Sequence, residues 1–149
     1  MEEWRKRALE LFPYMEPEIR ASESVGRFWI ELVCRFHRHY KANVRTDEDS
    51  TNLIRAICLY AIWCTRSESQ ETREAALIEF YEGLPKFAIQ CPPPIYRTIV
   101  KDLVLNLGIG EIEGLAGTIG AFMESGQLQK FLADARTEDT NRQMRSRKG

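Results

Sequence analysis

The sequence has 149 residues, of which 44% are hydrophobic and 29% are charged, with a formal net charge of −1. A chain of this length and composition is typical of a globular protein that buries a core of its own. The near-neutral charge lacks the basic excess of many nucleic-acid-binding proteins. Since no stretch of about 18 apolar residues occurs and no apolar segment follows the first residues, we expect a cytoplasmic protein that binds neither nucleic acid nor a membrane.

Helical periodicity dominates the N-terminal part of the chain. Residues 2–12 form a short amphipathic pattern, after which Pro13 and Pro17 predict a turn region. Ser22 or Ser24 caps the next helix, which extends to about residue 42. This second helix carries one apolar stripe, consisting of Val25, Phe28, Trp29, Leu32, Val33, Phe36 and Tyr40. Its other side is basic, and it includes a favourable Glu31–Arg35 spacing for an ion pair.

Residues 50–66 are apolar around almost the whole helical circumference. Asn52, Arg55 and Arg66 leave a narrow polar arc, and Asp49 or Ser50 is the expected N-terminal cap. A helix that is apolar nearly all round is buried on every side. We therefore predict a central buried helix near 50–66.

Proline and glycine divide the rest of the chain. Ser69 caps a fourth helix with a buried stripe that ends at Pro85, and Pro94 opens a fifth helix, which Gly108 stops. Residues 111–123 predict a glycine-rich helix, and residues 127–136 predict a further short one. The glycines at every third position of the former predict a close approach by another helix, at Gly114, Gly117 and Gly120.

The predicted fold is all-α, because no segment alternates with a period of two residues. Short connections favour an antiparallel helical bundle or a short stack of helical hairpins, with about 5–7 helices. We expect a single domain over residues 1–136 and a disordered polar and basic tail over residues 137–149. The four cysteines are expected to be reduced, buried thiols: Cys34, Cys58, Cys64 and Cys91.

Two patterns resemble known chemical sites, but neither has the geometry that such a site requires. Cys34, His37 and His39 resemble metal ligands, but one helix cannot aim all three at one ion. The glycine spacing that begins at Gly108 departs from the dinucleotide-binding pattern and follows a helix rather than a strand. We therefore expect no catalytic residue, no cofactor and no metal site.

The fourth helix carries four carboxylates away from its apolar stripe, at Glu71, Glu74, Glu79 and Glu82. This set is either a solvated face, partly paired with the basic second helix, or a surface that binds a basic partner protein. Glu82 lies near the end of its helix, where the macrodipole disfavours a carboxylate. We therefore expect Glu82 to pair with Lys86 or with an arginine of the second helix.

Three hypotheses on function stay open. The first is a non-enzymatic protein–protein interaction module of bacterial immunity or regulatory type, acting as a monomer or homodimer. The second is a small-molecule-binding protein or enzyme with an interhelical pocket, lined by Trp29, Tyr60, Trp63, Phe80 and Tyr81. The third is self-association through Ile30 and Cys34, which lie off the main apolar stripe.

Five short segments resemble a family of small bacterial all-helical proteins that is catalogued as a domain of unknown function. They are Leu11-Phe12-Pro13, Glu16-Pro17-Glu18, Phe28-Trp29-Ile30-Glu31-Leu32-Val33, Tyr60-Ala61-Ile62-Trp63-Cys64 and Phe80-Tyr81-Glu82-Gly83-Leu84-Pro85. The resemblance spans roughly residues 9–110 and consists of packing aromatics and a helix stop. It implies a helical fold and assigns no activity, and the likeness to immunity proteins is an analogy of fold and size.

Overall fold

A computed structural model describes residues 1–42, 48–84 and 91–148, with side chains over 1–38, 51–84 and 91–147. Every regular element of these residues is helical, which confirms the all-α prediction. The prediction of one domain over residues 1–136 placed no boundary within that range. The chain divides into two compact units, Met1–Phe80 and Tyr81–Gly149, and the single domain stays a prediction.

The first unit contains five α-helices in its described residues. They are α1 (Glu3–Leu11), α2 (Glu16–Ala21), α3 (Val25–Ala42), α4 (Glu48–Thr65) and α5 (Gln70–Ala76), and α5 continues into a π-helical turn over Leu77–Tyr81. The turn region predicted at Pro13 and Pro17 is therefore largely helical. Pro17 is the second residue of α2, where its missing N–H removes no helical hydrogen bond.

Two predicted caps are confirmed in the first unit. The hydroxyl of Ser24 accepts a hydrogen bond from the Arg27 N–H at 3.1 Å, and the hydroxyl of Ser69 accepts one from the Thr72 N–H at 3.3 Å. Each cap satisfies an N–H group that the first turn of a helix leaves without a helical partner. The cap predicted at Asp49 or Ser50 lies outside the described side chains.

The predicted Glu31–Arg35 ion pair does not form. Glu31 instead lies 4.0 Å from Arg27 of the same helix, and Arg35 lies 3.8 Å from Glu18 of α2. A contact between two helices thus replaces a local one, which spacing along a single helix does not reveal.

Helix α4 is the centre of the first unit's core, as predicted. Its buried side chains are Leu53, Ile54, Ile57, Cys58, Tyr60, Ala61, Ile62 and Cys64. The hydroxyl of Tyr60 donates a buried hydrogen bond to the Trp4 carbonyl oxygen of α1 at 3.1 Å. The Tyr60 ring also lies 5.7 Å from that of Phe28 and 5.2 Å from that of Trp29, so α1, α3 and α4 share one aromatic cluster.

The second unit contains four α-helices in its described residues, α6 (Pro93–Asn106), α7 (Ile109–Gly114), α8 (Ala116–Ile119) and α9 (Ser125–Lys148). Gly108 ends α6 as predicted, with a φ of 91° that favours glycine. The core is formed mainly by α6, which buries Ile95, Ile99, Val100, Leu103 and Val104. Helix α9 adds Phe131 and Ala135 to this core.

Of the three glycines predicted to allow a close approach by another helix, only Gly120 has a close neighbour. A Cβ atom at Gly120 would lie 2.5 Å from Leu128 Cδ2 and 3.1 Å from the Ala116 carbonyl oxygen, whereas Gly114 and Gly117 have no such neighbour within 4 Å. The single helix predicted over residues 111–123 is divided into α7 and α8 at Leu115.

The C-terminal segment differs from its prediction. A single helix, α9, extends to Lys148 in place of a short helix over 127–136 and a disordered tail over 137–149. Met144 is the only apolar residue of this segment and is 52% exposed, so the segment packs little, but a polar sequence does not prevent helix formation. The segment contains no proline, and side chains pair along it, with Gln143 donating to Asp139 at 3.0 Å and Arg145 to Glu138 at 2.8 Å.

The four cysteines are free thiols, but they are not all buried. Cys58 and Cys64 are buried as predicted, Cys91 is half-buried and Cys34 is exposed. In the described residues, no helix is both long enough and apolar enough to span a membrane.

Candidate functional site

A groove of about 620 Å³ opens on the first unit, beside the starts of α1, α3 and α5. Two tryptophans, Trp4 and Trp63, contribute to its wall. The charged residues that line it are Glu2, Glu3, Glu23, Glu68, Glu71 and Arg66. The described lining thus carries five carboxylates against one guanidinium.

Local helix chemistry explains why these carboxylates stand here. Glu2 and Glu3 open α1, Glu23 precedes α3, and Glu68 and Glu71 flank the Ser69 cap of α5. A carboxylate at a helix N-terminus interacts favourably with the helix macrodipole. Each glutamate therefore suits the start of its own helix, and the fold of the unit brings the three helix starts to one groove.

Two of the carboxylates are already compensated. Arg5 lies 2.7 Å from Glu2, and Lys6 lies 3.3 Å from Glu3. The hydrogen bond from the Arg5 guanidinium lowers the pKa of Glu2 below its ordinary value. These two carboxylates therefore contribute less to the attraction of an incoming cation.

Three carboxylates are uncompensated. Glu23, Glu68 and Glu71 are exposed, and none of them has an ion pair or a side-chain hydrogen bond within the described part of the chain. Carboxylates held close together without a cation repel one another, and a bound cation would relieve that repulsion. The uncompensated charge is the electrostatic property that sets this groove apart.

The tryptophan wall suits the same chemistry. The Arg5 guanidinium carbon lies 4.5 Å from the centroid of the Trp4 ring, so one tryptophan face already holds a cation. Trp63 is half-buried and stacks on Tyr60 at 6.0 Å with an interplanar angle of 7°, which fixes its ring at the groove. Carboxylates beside aromatic faces are a binding chemistry for lysine and arginine side chains.

The predicted acidic surface is only partly in this groove. Of its four residues, Glu71 lines the groove. Glu74 is exposed outside the groove lining and accepts a hydrogen bond from Gln70 Nε2 at 2.7 Å, and Glu79 is half-exposed and already engaged in an interaction. Glu82 belongs to the second unit, and its expected partner Lys86 lies outside the described residues.

Sequence reasoning did not assign the other four glutamates of the groove to a site. Glu2 and Glu68 are distant in sequence, and their proximity depends on how the helices pack. A local signal was nevertheless present, because each glutamate of the groove lies within two residues of a helix start. Charges at helix starts are a better indicator here than charges along one helix face.

The residues of the other hypotheses lie in different surroundings. Trp29 packs against Tyr60 and Phe80 in the core, with centroid distances of 5.2 and 5.8 Å, whereas Trp63 of the same predicted pocket lines the groove beside the starts of α1, α3 and α5. Among the described residues, no three His, Cys, Asp or Glu side chains are placed to hold a metal ion, and His39 is outside them. Ile30 and Cys34 are exposed one helical turn apart on α3.

The chain matches no protein-family model, no curated protein sequence and no solved structure. No activity therefore transfers to it by similarity. The resemblance to a bacterial family of unknown function stays a prediction.

Proposed function

We propose that the protein is a non-enzymatic interaction module whose acidic groove binds a lysine- or arginine-rich segment of a partner protein. The observation that carries the proposal is the convergence of three uncompensated carboxylates, Glu23, Glu68 and Glu71, on one groove walled by tryptophan. The groove volume of about 620 Å³ is in the range that accommodates a few side chains. We further propose a regulatory or immunity-type role in the bacterial cytoplasm.

The expected affinity is moderate and depends on salt. An exposed ion pair contributes about 0–1 kcal/mol, and a cation over the half-buried Trp63 ring contributes about 0.5–1 kcal/mol. A few such contacts add up to a transient complex rather than a permanent one. Because the carboxylates are exposed, salt at about 0.15 M screens them and weakens binding.

The test is fluorescence anisotropy with a labelled peptide of alternating lysine, arginine and serine, at about 0.02 M and 0.15 M salt. A triple variant, Glu23→Gln with Glu68→Gln and Glu71→Gln, removes the uncompensated carboxylates. The matched control removes three exposed carboxylates that do not line the groove, by Glu10→Gln, Glu74→Gln and Glu124→Gln.

We expect the groove variant to weaken peptide binding by about tenfold or more, which corresponds to 1.4 kcal/mol, and the control to change it by less than about twofold. Equal weakening by both variants would mean that net charge, not the groove, attracts the peptide. Absence of binding to the unaltered protein at low salt would overturn the proposal directly. Circular dichroism of both variants checks that the helices remain folded.

A further inference from the structure

Two adjoining grooves lie between α6 and α9 of the second unit, with volumes of about 340 and 370 Å³. Pro93, Tyr96 and Lys130 line both, so these three residues form their common wall. The Tyr96 hydroxyl donates to Asp134 Oδ2 at 2.6 Å, and Lys130 Nζ donates to the same oxygen at 3.2 Å. Lys130 Nζ also lies 4.8 Å from the Tyr96 ring centroid, so the wall is a hydrogen-bonded cluster.

The first of these grooves has a positive charge without a counter-ion. Arg97 and Lys101 are exposed one turn apart on α6, and neither has an ion pair or a side-chain hydrogen bond within the described residues. The groove's two carboxylates are already neutralised, Asp134 by Lys130 and Glu138 by Arg145 at 2.8 Å. An anion is therefore the ligand that this groove favours.

The second groove is largely apolar. Its lining includes Cys91, Met123 and Phe131, together with the rings of Pro93 and Tyr96. Burial raises the pKa of the Cys91 thiol to about 12, so the thiol stays neutral at physiological pH and acts as a small apolar group. Met123 is half-buried, and its flexible thioether adapts to a ligand of irregular shape.

We propose that the second unit binds the free carboxylate of a fatty acid, with the head at Arg97 and Lys101 and the chain in the apolar groove. A guanidinium is matched in geometry to a carboxylate and can hold it through two parallel hydrogen bonds. The Tyr96–Asp134–Lys130 cluster marks the boundary between head and chain. This ligand is opposite in charge to the basic segment proposed for the first unit, so each proposal stands without the other.

The test is isothermal titration of the full chain with decanoate below its micelle concentration. Decanol lacks the charge, acetate lacks the chain and decyltrimethylammonium reverses the charge. Because both grooves contribute, we expect decanoate to bind at least about tenfold more tightly than any of the three, which corresponds to 1.4 kcal/mol. Decanol equal to decanoate would overturn the role of the cations, and acetate equal to decanoate would overturn that of the apolar groove.

Substitutions test whether the residues of the two grooves bind decanoate. Arg97→Gln with Lys101→Gln is expected to weaken decanoate binding about tenfold or more. The control, Arg142→Gln with Arg147→Gln, removes two exposed cations of α9 outside both grooves and is expected to leave binding unchanged. Met123→Gln is expected to weaken decanoate binding while leaving the weak binding of acetate unaltered.

A membrane surface is the competing source of the same head-group charge. Vesicles of anionic phospholipid are therefore titrated in parallel, with sedimentation as the readout. Sedimentation with vesicles together with no binding of decanoate, checked by titration at two temperatures, would overturn the proposal. Loss of decanoate binding in the control variant, at unchanged helical content, would also overturn it.

Discussion

Tyr60 shows how one side chain joins two helices of the first unit. Its hydroxyl donates to the Trp4 carbonyl oxygen of α1, and its ring packs against Phe12 and Phe28. Burial also raises the pKa of Tyr60 far above its ordinary range, so its hydroxyl remains protonated and donating at neutral pH. The residue thus combines ring packing with a directed hydrogen bond to α1.

We expect Tyr60→Phe to lower the free energy of unfolding by about 1 kcal/mol, because the ring contacts remain and the buried hydrogen bond to the Trp4 carbonyl oxygen is lost. Urea denaturation followed by far-ultraviolet circular dichroism measures the change. Tyr14→Phe is the matched control, because Tyr14 is 53% exposed. An equal loss in both variants would contradict the role of the Tyr60 hydroxyl.

The glycines of the second unit give a second prediction at this scale. Gly120→Ala is expected to destabilise the protein by about 1–3 kcal/mol, because the new methyl group meets Leu128 and the Ala116 carbonyl oxygen. Gly117→Ala has open space around it, and alanine favours a helix over glycine by about 0.5–1 kcal/mol. The melting temperature should therefore fall in Gly120→Ala and rise in Gly117→Ala. A shift in the same direction in both variants would refute the steric argument.

Helix α9 has a half that packs on the core and a half that is exposed. Its first half contributes Phe131 and Ala135 to the core, whereas residues 140–147 are exposed throughout. The exposed half is supported by side-chain pairs along the helix, which contribute about 0.2–0.5 kcal/mol each. The two halves should therefore contribute very differently to stability.

We expect a chain truncated after Arg136 to melt within a few degrees of the full chain, because no residue beyond Arg136 is buried in the described part of the helix. A chain truncated after Lys130 also loses Phe131 and Ala135 and should be destabilised by several kcal/mol. Differential scanning calorimetry measures both. Equal destabilisation by the two truncations would show that the terminal segment contributes to the core.

The elements differ in how far the sequence determines them. The Ser24 and Ser69 caps, the stop at Gly108 and the burial of α4 were predictable because each depends on residues close in sequence. Helix α2 was not, because Pro17 indicates a break until its place in the first turn is known. The acidic groove was not either, because packing of distant helix starts brings Glu2 and Glu68 together.

The net charge of the whole molecule is close to zero, although two of its grooves carry local charges of opposite sign. The first unit carries an acidic groove with three uncompensated carboxylates, and the second carries a groove with two uncompensated cations. A net charge of −1 reveals neither. Local compensation between named side chains is the property that distinguishes these surfaces from the rest.

The two units also give a prediction for the whole chain. Leu103→Ala removes a fully buried side chain of α6 and is expected to destabilise the second unit by about 2–5 kcal/mol. Hydrogen exchange should show faster exchange in α6 and α9 and little change in α4. Leu105→Ala, at a side chain that is 54% exposed, is the control. Equal acceleration in α4 and α6 would show that the chain unfolds as one cooperative domain.

The length of α9 has a practical consequence for labelling the protein. Residues 137–148 continue the helix, and at 1.5 Å per residue they extend its axis by about 18 Å. A fluorophore on a cysteine introduced at Ser146 would therefore sit at a set distance and rotational phase from Ala135. The terminal helix is in effect a molecular ruler, against which distances within the second unit can be calibrated by energy transfer.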